Sequence, residues 1–364
     1  MATTSATGAA GLVQVLAPDG TAVGEIPRGL SDGDVLSLYR WLVTVRTFDA
    51  RMVNLQRQGR IAFYGPTTGQ EAVSVGCGYA MGPEDWVLPA LREQGIALMR
   101  GLPLSTYVAQ LMGNANDLCK GRQMPCHPTW REGGYVSMSS VIATQVPHAG
   151  GVAMAMKIKK TRAVCLGFLG DGATSEGDFH VAMNFAAVFR SPCVIVCQNN
   201  HWAITVPLRL QTTTPEIVAK AEAYGMRGVR VDGNDVLAVY QVAREAIERA
   251  RAGGGPTFVE AGTYRMLGHT TSDDPSRYRD PAEVEPWKAR DPIDRMRRWL
   301  TGRGLLDAAR DAAIEAEIKD AIDRAVKEQE AAGPPAPRTL IEDVFAEPTP
   351  ELERLGEELE ERQG

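Results

Sequence analysis

From residue 31 onward apolar positions recur at helical spacing. Val35, Leu36, Leu38, Tyr39, Leu42 and Val43 mark one stripe. Ser31 or Asp32 is placed to cap this helix, and the pattern carries it through residues 54–55 to a stop near Gly59. A second helix, of small residues, is expected over 70–80, and a third over 98–112 with a break at 101–103. Two short runs behave differently. Residues 163–169 (AVCLGFL) and 193–197 (CVIVC) are continuously apolar, as parallel strands covered on both faces are. Between them Phe179, Met183, Phe185, Ala186 and Val188 set a helical pattern over about 175–189. Strand, helix and strand in that order predict a right-handed βαβ unit. Residues 227–231, 236–252 and 257–263 repeat the alternation. The fold class is therefore α/β: an open, doubly wound, mostly parallel sheet flanked by helices.

The rest of the chain is less regular. Residues 1–30 read as an irregular N-terminal arm, loose rather than packed. Residues 113–134, rich in Gly, Asn and Pro, predict a long loop, and such loops within a compact domain are often functional. A polar loop (GHTTSDDPSRYRDP) fills 268–281, helices are expected over 292–300 and 308–330, and Gly333-Pro334-Pro335-Ala336-Pro337 reads as a linker. Beyond it an acidic tail, ELERLGEELEERQG, predicts an exposed helix. The expected organisation is an arm over 1–30, one α/β domain over 31–332, and a linker with a helical tail over 333–364.

Composition narrows the function. With 364 residues, 44% hydrophobic and 23% charged, the chain is an ordinary globular protein that can bury one large core. A formal net charge of -6 gives no electrostatic footprint for nucleic acid. No apolar run approaches the roughly 18 residues needed to span a bilayer, so no membrane role is expected. The first twenty residues lack the basic flank and apolar block of a secretory signal. The six cysteines form no CxxC pair, and free thiols of this kind suit a reducing cytoplasm. His127, His148, His180 and His201 read as structural.

In open α/β sheets ligands collect outside the carboxyl ends of the strands. Asp171 follows one expected strand in Gly170-Asp171-Gly172, and Asn199-Asn200 follows the next, with 26 residues between Gly172 and Asn199. A carboxylate and an amide oxygen at neighbouring strand ends suit magnesium, which takes hard oxygen ligands and bridges protein to phosphate. A backbone carbonyl just beyond Asn200 would add a third ligand. Gly170 and Gly172 let the backbone approach phosphate without a Cβ in the way, at the positive end of the following helix.

The segment GDGATSEGDFHVAMNFAAVFRSPCVIVCQNN resembles the thiamine diphosphate fingerprint, a GDG followed some 25 residues later by a double Asn. With Gly69-Gln70-Glu71-Ala72, GRQMPCHP, SSVIATQVP, YRMLGHTTSDDPSRYR and LIEDVFAEPTPELERL, it makes the chain resemble the α subunit of the 2-oxo acid dehydrogenase decarboxylating component. The branched-chain (2-oxoisovalerate) type is nearest, over about nine-tenths of the chain.

The resemblance implies thiamine diphosphate, Mg2+ and K+ as cofactors. It implies Asp171, Asn200 and the Trp202 carbonyl as magnesium ligands. Arg92, Gly172, Ala173, Glu176, Gln198, Ile204 and His269 are implied around the diphosphate. Ser140 and Ile142 are implied beneath the cofactor rings. Ser139, the Val141 carbonyl, Thr144 and Gln145 are implied as a potassium site. His269 is implied as a catalytic residue, aiding transfer of the acyl group to a lipoyl arm. Arg265 and Asp273 are implied to shape the loop around it.

By the same resemblance the cofactor, when bound, would supply the nucleophilic carbon and the electron sink for loss of carbon dioxide. The glutamate that serves it is implied to lie on a separate β subunit. The expected partners are therefore that β subunit, in an assembly of two α and two β, the lipoyl domain of the acyltransferase, and a small 2-oxo acid. Two departures stand out: Gln198 where branched-chain relatives often carry arginine, and Leu91 where a tyrosine often precedes Arg92. A pyruvate-type α subunit is the nearest rival reading, and a non-catalytic scaffold of the same fold a remote one.

Overall fold

The computed structural model describes residues 11–362, so the first ten residues of the expected arm and the last two of the tail lie outside the described part. In chain order the strands are β1 (Leu12–Val13), β2 (Trp86–Leu88), β3 (Cys165–Gly170), β4 (Cys193–Asn199), β5 (Trp202–Ala203), β6 (Val206–Pro207), β7 (Arg227–Asp232) and β8 (Thr257–Gly262). The helices are α1 (Asp32–Arg57), α2 (Glu71–Ala80), α3 (Gln94–Met99), α4 (Leu104–Met112), α5 (Gln145–Ile158), α6 (Gly177–Val188), α7 (Val236–Arg251), α8 (Glu285–Lys288), α9 (Pro292–Gly302), α10 (Ala308–Glu330), α11 (Thr339–Glu342) and α12 (Pro350–Glu361). Six strands form one sheet in the order β1-β7-β8-β4-β3-β2, and every pairing in it is parallel. β5 and β6 form a separate antiparallel hairpin.

The unbroken apolar runs follow from burial on both faces. Leu166 and Phe168 of β3, with Val194 and Val196 of β4, point into a core shared with α1, α2, α7, α9 and α10. Cys165, Leu169, Cys193, Ile195 and Cys197 point the other way, into a core with α5 and α6. Successive residues alternate between two apolar layers, so no polar position interrupts either strand. At Gly167 a Cβ would stand 2.7 Å from the Ala149 Cβ. The missing side chain lets α5 lie directly on β3.

Ser31 caps α1, accepting from the Asp34 amide at 3.2 Å while Asp34 accepts from the Ser31 amide at 2.8 Å. This is the reciprocal box that satisfies two otherwise orphaned donors. The break expected at 101–103 separates α3 from α4, with Gly101 at φ +92, and α3 begins earlier than expected, at Gln94. The arm is not loose where it is described. β1 pairs with β7, and Val15 and Leu16 are buried. Their amides both donate to Asp235, at 2.7 and 2.6 Å, and the same carboxylate caps α7 through Leu237 and Ala238. No helix among the described residues is long and apolar enough to cross a membrane.

Candidate cofactor site

Register fixes the site. Gly170, the last residue of β3, pairs with Gln198 of β4, so Asp171 and Asn200 leave the same edge of the sheet within one strand spacing of each other. They open into a cavity of about 510 Å³. The turn after β3 contributes Asp171, Gly172, Ala173 and Glu176 to its wall. The end of β4 contributes Gln198 and Asn200, and the β5–β6 hairpin contributes Trp202 and Ile204. Arg92 enters ahead of α3, Ser139, Ser140, Ile142 and Gln145 from the approach to α5, and His269 from the loop after β8. Of the residues implied as cofactor or metal contacts, Val141 and Thr144 stand outside this wall. The Val141 carbonyl accepts instead from the Thr144 amide at 3.4 Å.

Asp171 is 1% exposed, and burial pushes its carboxyl up to about 6. The Gln211 side-chain amide, donating at 3.0 Å, opposes part of that rise, as do the backbone amides of Asp171 and Asn200. Arg265, not close enough to form an ion pair among the described residues, also lowers it through its charge. Asn200 accepts from the Trp202 backbone N–H at 3.1 Å and donates to Gln70 Oε1 at 2.9 Å. Three further buried atoms on this wall, Gln70 Nε2, Gln198 Oε1 and Gln145 Oε1, have no partner among the described residues. Buried polar atoms are ordinarily paired, so three unpartnered amide atoms in the residues of one wall are unusual. Among the described residues no cluster of three or more His, Cys, Asp or Glu is arranged for a metal. One carboxylate with amide and carbonyl oxygens is the donor set on offer, and it suits a hard cation such as magnesium. Gln145 donates to the Phe168 carbonyl at 2.9 Å, which fixes its amide and leaves Oε1 free, as a potassium ligand requires.

The two glycines differ. A Cβ on Gly170 would meet no protein atom within 4 Å, so the space beside it is open. A Cβ on Gly172 would stand 2.5 Å from the Ala203 Cβ. The bare backbone at Gly172 is therefore required by the packed hairpin, in addition to any approach of phosphate. Four non-glycine residues on or beside the wall hold left-handed backbone: Cys126 at φ +66, Ala143 at φ +69, His201 at φ +68 and Ile204 at φ +55. For a β-branched residue this conformation is costly, and it aims Ile204 at the cavity mouth.

Arg92 is buried and spans two segments, donating to the Pro66 carbonyl and, at 2.9 Å, to the His269 carbonyl. The loop carrying His269 is further held by Asp273, which accepts from the His269 amide and the Tyr278 hydroxyl. Arg265 donates to the Tyr278 hydroxyl at 2.7 Å and to the Ile204 carbonyl at 2.6 Å. Burial, with Arg92 and Arg265 nearby, pushes the His269 imidazole down to about 4. It stands neutral at the cavity wall, available as donor and acceptor.

Among the residues at the site that carried a different expectation or none are His127 and Gln211. His127, read as structural, lines the cavity. Its Nδ1 faces the Pro125 carbonyl at 2.9 Å and so must donate there, which leaves Nε2 to accept from the Ser140 hydroxyl at 2.7 Å. Gln211 reaches Asp171 from 40 residues along the chain, out of an irregular segment that no periodicity singles out.

The profile of the Dehydrogenase E1 component family matches residues 39–338. The chain is 46% identical over 319 residues to the 3-methyl-2-oxobutanoate dehydrogenase subunit alpha of Mycobacterium tuberculosis, covering 85% of this chain and 84% of that one. It is 39% identical over 324 residues to the mitochondrial 2-oxoisovalerate dehydrogenase subunit alpha 2 of Arabidopsis thaliana, covering 89% and 69%. It is 40% identical over 326 residues to the mitochondrial 2-oxoisovalerate dehydrogenase subunit alpha of Homo sapiens, covering 89% and 73%.

Proposed function

The chain belongs to the dehydrogenase E1 component family, and from that premise we propose that it is the α subunit of a branched-chain 2-oxo acid dehydrogenase. It decarboxylates 2-oxo acids on thiamine diphosphate together with a β subunit, two of each in the assembly. The acyl group passes to a lipoyl domain of the acyltransferase component. The observation that carries this reading is the placement of Asp171 and Asn200 at adjacent parallel strand ends, on one cavity with Arg92 and His269. The similar proteins reported above carry branched-chain names in a bacterium, a plant and an animal, which favours that substrate class over pyruvate. Kinship with the bacterial relative and six free thiols support a cytoplasmic setting.

In this reading Asp171, Asn200 and the Trp202 carbonyl would hold magnesium, and Ser139, the Val141 carbonyl, Thr144 and Gln145 would hold potassium. Bound thiamine diphosphate supplies the nucleophilic carbon and the electron sink for loss of carbon dioxide. The chain's residues do the rest by position. Gly172, Ala173, Glu176 and Gln198, with Arg92 and His269, would hold the diphosphate, and the apolar side chains of Ile142 and Ile204 would help to keep water from the reacting end. His269, neutral at working pH, is poised to hydrogen-bond a reacting oxygen or thiol without carrying charge into the site.

The test is reconstitution. With its cognate β chain the protein is expected to turn over 3-methyl-2-oxobutanoate in preference to pyruvate, with magnesium and thiamine diphosphate required, and alone to show no turnover. Full activity without a partner, or a preference for pyruvate, would refute the assignment.

A further inference from the structure

Gln70, at the start of α2, is 1% exposed and lines the cavity opposite Asn200. Its side-chain oxygen is the shared acceptor of two amides, Asn200 Nδ2 at 2.9 Å and Gln198 Nε2 at 3.2 Å. The orientations follow from one fixed donor. The Trp202 backbone N–H can only donate, so the Asn200 atom facing it is Oδ1, which puts Nδ2 toward Gln70 and requires Gln70 to answer with oxygen. Gln70 then leaves its own Nε2 buried and unpartnered. A side chain that gives up its own satisfaction to accept twice is serving its neighbours.

The backbone leading into Gln70 is held as firmly. The Gly69 carbonyl accepts from Asn234 Nδ2 at 3.1 Å and from Thr263 Oγ1 at 3.0 Å, and Gly69 takes φ +91, which delivers Gln70 into the wall. This anchor comes from the ends of β7 and β8, independently of β3 and β4.

We propose that Gln70 is a positioning residue for the metal site: its side-chain oxygen clamps the Asn200 amide so that Oδ1, with one lone pair taken by Trp202, keeps the other for the cation. The inference rests on the thiamine diphosphate and magnesium reading above. It assigns a role to a residue that touches neither the cation nor the cofactor through the atom that matters. Rotation of the Asn200 amide would present an NH2 group to the cation, and Gln70 opposes that rotation.

The test is calorimetric titration of thiamine diphosphate into the full chain with its β partner, across a magnesium series. Gln70→Met removes the acceptor, Gln70→Asn withdraws it by one methylene, and Gln70→Glu keeps an acceptor oxygen in place. Met is expected to weaken cofactor binding about ten- to hundredfold and to raise the magnesium concentration needed. Asn provides a second reading of that loss where Met disturbs folding, and Glu is expected to restore both quantities. Melting of the cofactor-free proteins checks that the loss is not one of fold. Wild-type affinity and magnesium requirement in Met or Asn would overturn the inference, as would an equal loss in all three variants. Failure of the wild-type protein to bind the cofactor would instead overturn the cofactor reading, a distinguishable result.

Discussion

The side-chain amide of Gln211 donates to the carboxylate of Asp171 at 3.0 Å, and this is the one side-chain hydrogen bond that Asp171 receives among the described residues. Together with the backbone amides of Asp171 and Asn200 and the charge of Arg265, it offsets only part of the burial penalty on the ionised acid. The ionised carboxylate therefore costs stability unless a bound cation, as proposed above, offsets it.

Asp171→Asn is therefore expected to act in opposite directions on stability and on binding. Burial raises the folded-state pKa to about 6 from 3.8, so the folded chain holds this proton more tightly than the unfolded one. The penalty is absent below the unfolded value and fully present above the folded one, amounting to roughly 3 kcal/mol. At neutral pH the Asn variant should melt higher than wild type without cofactor, and should lose metal-dependent thiamine diphosphate binding by at least about a hundredfold. Scanning calorimetry with and without cofactor measures both. A lower melting temperature for the empty variant would show that the charge is compensated by something else.

His269 gives a second, independent titration. Its folded-state pKa is pushed down to about 4, first by burial and then by Arg92 and Arg265. A depressed histidine disfavours the folded state in acid: its contribution is lost as pH falls from the ordinary value near 6.5 toward 4. In the cofactor-free chain the imidazole proton shifts of His269 should stay flat through pH 6.5 and move only near 4, and Arg92→Met should move the midpoint upward. A midpoint near 6.5 in wild type would contradict the buried, cation-flanked setting.

Arg92 also ties the loop down. Its guanidinium joins the Pro66 and His269 carbonyls, so Arg92→Met leaves both without that donor. A loss of about 2 kcal/mol in stability is expected, and faster proteolysis within 268–281. Urea unfolding and limited trypsin digestion followed by mass mapping test the two parts. Unchanged cleavage of the loop would mean that Asp273, bonded to the His269 amide and Tyr278, holds it alone.

How much of this was legible follows from what each residue touches. β3 and β4 were readable because both faces are buried, which erases polar alternation, and α1 because a polar face outlines its stripe. β1 and β2, of two and three residues, are too short for any period to register. α5 was hidden by Pro147 and Gly150-Gly151, which argue against a helix locally. Packing on β3 through Gly167 overrides them. Asp171 and Asn200 were legible because consecutive strands bring them together. The roles of Gln70 and Gln211 were not, because their bonds to Asn200 and Asp171 are made across 130 and 40 residues. His127 looked structural because a buried histidine usually is; only its contact with Ser140 distinguishes it.

The two glycines flanking Asp171 separate packing from binding. At Gly172 an added methyl would stand 2.5 Å from the Ala203 Cβ, a distance real side chains do not tolerate, so the β5–β6 hairpin must shift. Gly172→Ala should cost about 1–3 kcal/mol of stability, and by displacing Trp202 and Ile204 should weaken cofactor binding as well. At Gly170 an added methyl meets no protein atom within 4 Å, and the left-handed backbone that would penalise alanine is absent there. Gly170→Ala should therefore melt within about 0.5 kcal/mol of wild type. Yet the space its methyl would enter adjoins the strand end where the diphosphate is proposed to lie, so its affinity for thiamine diphosphate should fall while its fold does not. Paired melting curves and cofactor titrations decide this. A Gly170→Ala protein that binds normally would move the diphosphate away from the end of β3, and a Gly172→Ala protein as stable as wild type would mean that the hairpin yields without cost.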